Sequence, residues 1–132
     1  MIVIDASGVV DVVLDVTPRS RLIAEALLEH SGDIHAPHLL DAEVGQVMRR
    51  YLLRKEISLD RAREALEILA DLQIVRHGHA GFLSRALALR RNLTVYDALY
   101  VALAEALKAP LLTRDAGIAR SATRYVEVIH IR

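Results

Sequence analysis

Leu93-Thr94-Val95-Tyr96-Asp97-Ala98-Leu99-Tyr100-Val101-Ala102-Leu103-Ala104 reads as a helix with Thr94 as its N-cap. From Val95 to Leu107 only Asp97 and Glu105 are charged. A helix that is apolar on nearly every side has no solvent face, so this one belongs inside the protein. Asp97 then enters a buried helix in its first turn. An isolated buried carboxylate is costly and needs a donor, a cap or a cation. One local answer is the capping box, since Thr94-x-x-Asp97 fits the pattern in which the third helical residue bonds back to the cap. The other answer is that Asp97 belongs to a site, and the rest of the chain decides between them.

The 132 residues predict one domain, 1–132, of the commonest size. A chain of this length buries roughly 70% of its unfolded surface without staples. Apolar residues make up 53%, which excludes a disordered chain. There is no cysteine, hence no disulfide framework and no thiolate metal site. The 17 basic and 17 acidic residues balance, which argues against a polycationic nucleic-acid binder. An enzyme with an acidic pocket inside a basic rim is still allowed. No apolar run approaches the roughly 18 residues of a membrane span. Ile2-Val3-Ile4 follows Met1 with no basic leader. The expectation is a soluble, cytoplasmic protein that does not enter a membrane.

Working outward from the central helix, Ala80 to Arg91 predicts a helix before it. Leu111-Leu112-Thr113, entered through Pro110, predicts a strand after it. That strand runs out at Thr113-Arg114-Asp115. A short helix, Ala116 to Ala122, and an alternating edge strand, Val126 to Ile131, follow. At the other end, Met1 to Ile4 is apolar and β-branched, as in a buried parallel strand, and it ends at Asp5. Asp5 to Gly8 reads as a turn, Val9 to Leu14 as a short helix, and Arg19 to His30 as a second, with Pro18 in its first turn. A strand at Ile34 to Ala36 stops at Pro37. Helices from His38 to Arg54 and from Ser58 to Asp71, a strand from Leu72 to Arg76 and a loop at His77 to His79 complete the chain. Strand and helix alternate throughout, so the fold class is α/β, a short parallel sheet with helices on both faces.

In such sheets, sites form beyond the carboxyl ends of the strands. Asp5 and Asp115 stand at two of those ends, and each alone could be a helix cap. Glu43 is harder to explain locally. Leu39, Leu40, Val44, Val47, Met48 and Tyr51 form one apolar stripe, and Glu43 falls inside it. A glutamate there breaks the binary pattern. It either reaches the surface or an arginine such as Arg50, or it points inward at a site. Four carboxylates gathered within a few Å repel, so most need a cation to stay ionised together. Oxygen-only ligation selects a hard ion, Mg²⁺ or Mn²⁺. Two such ions roughly 3.5–4 Å apart are the usual apparatus of phosphodiester hydrolysis.

Ile2-Val3-Ile4-Asp5-Ala6-Ser7, Pro37-His38-Leu39-Leu40-Asp41-Ala42-Glu43-Val44 with Arg49-Arg50 behind it, Tyr96 to Glu105, and Leu111-Leu112-Thr113-Arg114-Asp115 resemble the PIN-domain nucleases. More narrowly, the chain resembles the VapC toxins of toxin–antitoxin pairs, over its whole length and in order. The resemblance implies a three-layer PIN-like fold and a Mg²⁺- or Mn²⁺-dependent endoribonuclease acting on structured cellular RNA of the tRNA or rRNA class. It also implies a homodimer neutralised by a cognate VapB-type antitoxin, whose C-terminal segment wraps the toxin and occludes the site. The family's acidic quartet falls on Asp5, Glu43, Asp97 and Asp115. Its hydroxyl residues fall on Ser7 and Thr113. Some members carry a further Asp or Asn after the last acid; Ala116 and Gly117 stand there in this chain, which leaves a second ion with fewer donors. On this reading Asp5, Asp97 and Asp115 hold the ion, Glu43 reaches it directly or through water, and in-line attack by water leaves a 5′-phosphate. Arg114, Arg85, Arg90 and Arg91 are the candidate RNA-backbone contacts.

Other chemistries find little support. His35-Ala36-Pro37-His38 and His77-Gly78-His79 lack helical ligand spacing and sit in loop contexts. Ser7 has no evident histidine–acid partners for a nucleophilic triad. There is no Gly-x-Gly-x-x-Gly or Walker A sequence. A phospho-acceptor receiver needs a lysine at a late strand end, and Lys55 and Lys108 fall in or at the ends of helices. A catalytically silent RNA- or protein-binding domain of the same fold is the alternative. For dimerisation, Val9, Val10, Val12, Val13 and the Leu52-Leu53 edge are the candidate apolar surfaces.

Overall fold

The computed structural model describes all 132 residues. Five strands form one parallel sheet: β1 (Ile2–Ile4), β2 (Ile34–Pro37), β3 (Ile74–His77), β4 (Leu111–Thr113) and β5 (Val128–His130), in the order β3-β2-β1-β4-β5. The chain builds outward from β1 on one side, then crosses over and builds outward on the other. The order therefore reverses between β1 and β4, and such a point opens a crevice at the carboxyl ends of the two strands.

Seven helices cover the sheet: α1 (Ala6–Val13), α2 (Arg19–Glu29), α3 (Leu39–Leu53), α4 (Leu59–Asp71), α5 (Leu83–Ala88), α6 (Val95–Leu107) and α7 (Ala116–Ala122). Helix α1 packs with α2, α3 and α4, whereas α6 packs with α5 and lies on β1, β2 and β4. This is the three-layer α/β arrangement. Residues Ala98 to Ala104 of α6 are all buried, as a helix without a solvent face requires. All of them but Ala102 join β1 and the inner faces of α1, α3 and α4 in one core of 29 buried residues.

Several boundaries differ from the sequence expectation for local reasons. Helix α1 begins at Ala6, directly after β1, because the Asp5 side chain accepts from the Gly8 N–H and caps it. Gly8 is inside that helix because a Cβ there would lie 3.0 Å from the side chains of Ile4 and Leu112. Helix α5 shrinks to six residues after a 3₁₀ turn at Ala80–Phe82. Its last turn tightens, with the Leu89 N–H shared between the Arg85 and Ala86 carbonyls. Strand β3 extends to His77, which pairs with Pro37. Val9, Val10 and Val13 are core residues and offer no outer surface, which corrects that part of the dimer expectation. Leu53 is exposed. No helix is long and apolar enough to cross a membrane.

Candidate active site

At the β1/β4 reversal lies a pocket of about 260 Å³ lined by Asp5, Ser7, Glu43, Asp97 and Asp115, together with Gln46, Arg50 and Tyr100. Each acid comes from a different element. Asp5 follows β1, Glu43 projects from α3, Asp97 sits in the first turn of α6, and Asp115 caps α7 just beyond β4. The local and the site readings of these acids are compatible. Asp5 caps α1, and Asp115 accepts from the Ile118 N–H at 2.8 Å. For Asp97 the cap is one-sided: its N–H donates to Thr94 Oγ1 at 3.1 Å, but its carboxylate accepts no bond from the Thr94 backbone N–H. The capping box is half formed, and the acid faces the pocket.

Asp5 is held most firmly. It is 3% exposed, and all its partners are donors. Oδ1 accepts from the Ser7 hydroxyl at 2.5 Å and from the Gly8 N–H at 3.2 Å, while Oδ2 accepts from the Thr113 hydroxyl at 2.5 Å. Thr113 Oγ1 also accepts from the Asp115 N–H, and Ser7 Oγ accepts from the Arg114 N–H. The two hydroxyls thus tie the end of β1 to the loop after β4. Thr113→Val keeps the volume but strands Asp5 Oδ2 and the Asp115 N–H without their partners. The expected cost is about 1–3 kcal/mol for each group left unpaired, read as a fall in denaturation midpoint at unchanged slope.

Glu43 corrects the sequence picture of α3. The stripe splits: Leu40, Val44 and Met48 are buried in the core, whereas Glu43, Gln46, Val47 and Arg50 line the pocket. Arg50 makes no ion pair with Glu43. The partner is Tyr100, whose hydroxyl donates to Glu43 Oε1 at 2.6 Å. This bond joins the two helical layers beyond the strand ends. Sequence reasoning missed Tyr100 and Gln46, and named Arg50 only as a possible partner for Glu43. The signal was present in the spacing, because Tyr100 follows Asp97 by three and Arg50 follows Glu43 by seven, both on the same helical face.

The electrostatics follow from burial and like charge. Burial raises the Asp5 carboxyl above its ordinary value against the pull of its hydrogen bonds, and Asp97 adds to the rise. Glu43 is raised by burial and then by Asp97 and Asp5, against the Tyr100 bond. Asp97 is raised by burial, against the Thr94 hydroxyl, with Asp115 adding to the rise. Burial and the bond to Glu43 push the Tyr100 phenol far up, so it stays a donor. Arg50 is the only basic side chain lining the pocket.

Such a donor set, oxygen only and net negative, fits a hard divalent cation. The pocket also has room for the waters such an ion retains. No three of the acids yet converge tightly enough to grip one ion as they stand, so the fit is one of donor chemistry.

The expected arginines divide. Arg114 flanks the site but turns to the buried Asp11, with Nε 2.8 Å from Oδ2 and out of line for a hydrogen bond. Arg19 shares that carboxylate at 3.0 Å. Arg85 is engaged elsewhere, in a two-pronged bond to Glu105 at 2.8 and 2.9 Å and over the Tyr125 ring. Arg90 bonds the Leu87 carbonyl, and neither Arg90 nor Arg91 lines the acidic pocket. Of these three, Arg85 is committed to Glu105, and Arg90 and Arg91 stand outside the acidic pocket.

A family model described as PIN domain matches residues 2–123. Ribonuclease VapC1 of Mycobacterium tuberculosis is 47% identical over 118 residues, covering 89% of this chain and 87% of that protein. VapC ribonuclease Mb0985 of Mycobacterium bovis is 38% identical over 115 residues, covering 87% and 86%. Ribonuclease VapC12 of Mycobacterium tuberculosis is 36% identical over 128 residues, covering 97% of each. The crystal structure of PAE2754 from Pyrobaculum aerophilum superposes with a TM-score of 0.64 at 20% identity, over 96% of this chain and 82% of that one, and so shares the fold. With the acids brought to the strand reversal and these relatives along most of its length, the chain belongs to the PIN-domain family and is a VapC-like member of it.

Proposed function

We propose that this chain is an endoribonuclease toxin that hydrolyses RNA phosphodiester bonds with a Mg²⁺ or Mn²⁺ ion. The observation that carries the reading is the convergence of Asp5, Glu43, Asp97 and Asp115 on one pocket. The ribonuclease names of the VapC relatives support the same reaction. Asp5, Asp97 and Asp115 would hold the ion, with Glu43 reaching it directly or through water. When bound, it supplies Lewis acidity toward water and the phosphate, with charge neutralisation worth several kcal/mol.

The chain's own residues do the rest. Ser7 and Thr113 hold Asp5 by donating to it, so its ionised form keeps a fixed direction. Tyr100 orients Glu43. Arg50 brings a guanidinium to the pocket, where it pairs with a phosphate in a way no carboxylate can. Tyr100→Phe is expected to lower cleavage by about 10- to 100-fold, as for other residues that orient a ligand, with weaker Mn²⁺ binding by calorimetry and an unchanged fold.

A cognate VapB-type antitoxin, a homodimeric state, a cytoplasmic location and a tRNA- or rRNA-class target complete the proposal. The deciding experiment is cleavage of total cellular RNA by the purified, antitoxin-free protein with Mn²⁺ and with EDTA, followed by end-mapping. Discrete cuts that need the ion and leave 5′-phosphates support the reading. A 2′,3′-cyclic phosphate end would overturn it. No cutting under any condition would favour a binding domain.

A further inference from the structure

A second cavity, of about 640 Å³, lies between α7 and β5 and is lined by Arg114, Arg120, Thr123, His130 and Arg132 among others. No acidic side chain lines it. Part of its charge is uncommitted. Arg120 is exposed, and its guanidinium makes no ion pair or hydrogen bond. Arg114 shares the single carboxylate of Asp11 with Arg19, so one negative charge stands against two positive ones.

This basic groove is continuous with the acidic pocket. A smaller cavity of about 280 Å³ is lined by Asn92, Thr94, Asp97, Asp115, Arg120 and Ser121 among others. It shares Asp97 and Asp115 with the acidic pocket and Arg120 with the basic groove. Along α7, Arg120 lies five residues past Asp115, about 7.5 Å along the helix axis at 1.5 Å per residue. The path therefore changes sign from acidic to basic within about one and a half turns of helix.

A polyanionic strand needs such a change of sign. An ion among the carboxylates accommodates the phosphate that reacts, but four carboxylates repel the phosphates on either side of it. A neighbouring guanidinium surface attracts those phosphates by charge and by paired N–H donors. We propose that the α7–β5 groove is an RNA-backbone site that receives the strand leaving the acidic pocket, with Arg120 as the residue linking the two. This inference rests on the nuclease reading for its substrate class. An acidic protein segment would suit the arginines but not the continuation into the carboxylates.

The test uses a fluorescein-labelled, single-stranded 20-mer RNA and anisotropy in EDTA, so that binding is read without cleavage. Arg120→Glu is compared with Arg63→Glu, an equal charge change on α4, which does not pack against α7. Both variants are checked by melting. Arg120→Glu should weaken binding about 10-fold at low salt and Arg63→Glu less than about twofold, and Arg120→Ala should flatten the salt slope by about 0.7 for one lost single-strand phosphate contact. In Mn²⁺, Arg120→Glu should raise KM for cleavage with kcat nearly kept. Equal weakening by Arg120→Glu and Arg63→Glu, or no RNA binding by the wild type, overturns the groove. So does loss of oligo-glutamate binding in Arg120→Glu with RNA binding intact, which would make the groove a protein-docking site. A protein that cuts RNA with an unchanged KM in Arg120→Glu keeps the nuclease and loses the groove. One that binds RNA through Arg120 and never cuts keeps the groove and loses the nuclease.

Discussion

Asp97→Asn is expected to lower RNA cleavage by roughly 10²–10³-fold, which corresponds to about 3–4 kcal/mol of transition-state stabilisation at 1.4 kcal/mol per decade. The substitution keeps the shape and removes one negative charge. It leaves the cap in place, because Thr94 Oγ1 accepts from the backbone N–H of residue 97 and not from its side chain. The fold should therefore persist. Relief of the repulsion with Asp115 and of the cost of burying a carboxylate should leave the EDTA-treated variant as stable as the wild type or more so. Activity and stability then move in opposite directions, which a merely structural Asp97 could not produce. Cleavage assays beside thermal melts check it. A variant that cuts normally, or one that loses activity only because it melts early, would remove Asp97 from the proposed chemistry.

The second large effect links protons, metal and stability. Without added metal the protein should melt higher near pH 5 than near pH 7.5. Asp5, Glu43 and Asp97 are all raised above their ordinary carboxyl values in the folded protein. The folded state therefore holds protons there more tightly than the unfolded chain does. The stability this contributes is fully present below the ordinary carboxylate range and is lost as pH rises through the raised values. Mn²⁺ should reverse the trend at neutral pH by taking the place of the protons. At 100 times its dissociation constant a ligand adds about 2.7 kcal/mol, or roughly 10 °C in melting temperature for a chain of this size. The gain should shrink toward pH 5 as protons compete, and Asp97→Asn should reduce both effects. An unchanged melting temperature in millimolar Mn²⁺ would count against the carboxylates as a metal site.

Much of the site is legible from residue types and local spacing, because the signals involved are short-range. The apolar run from Ala98 to Ala104 has no polar face and can only be buried. Asp5 and Asp115 follow apolar, β-branched or leucine-rich strands and precede helices, so their positions at strand ends follow from two local patterns meeting. Glu43 interrupts an apolar stripe, and the structure shows the interruption to be the margin where core gives way to pocket.

By itself, then, the sequence determined the βα alternation, the burial of α6 and the identity of the four acids. Only the tertiary structure decided the order β3-β2-β1-β4-β5, and with it the single crevice into which those acids face. The structure also decided which side chains answer one another. Tyr100 reaches Glu43 across 57 residues of chain, Arg114 turns to Asp11, and Arg85 is taken up by Glu105. Periodicity assigns a side chain to a face of its own helix. Which partner that face meets depends on how separate elements pack, and nothing local in the chain encodes it.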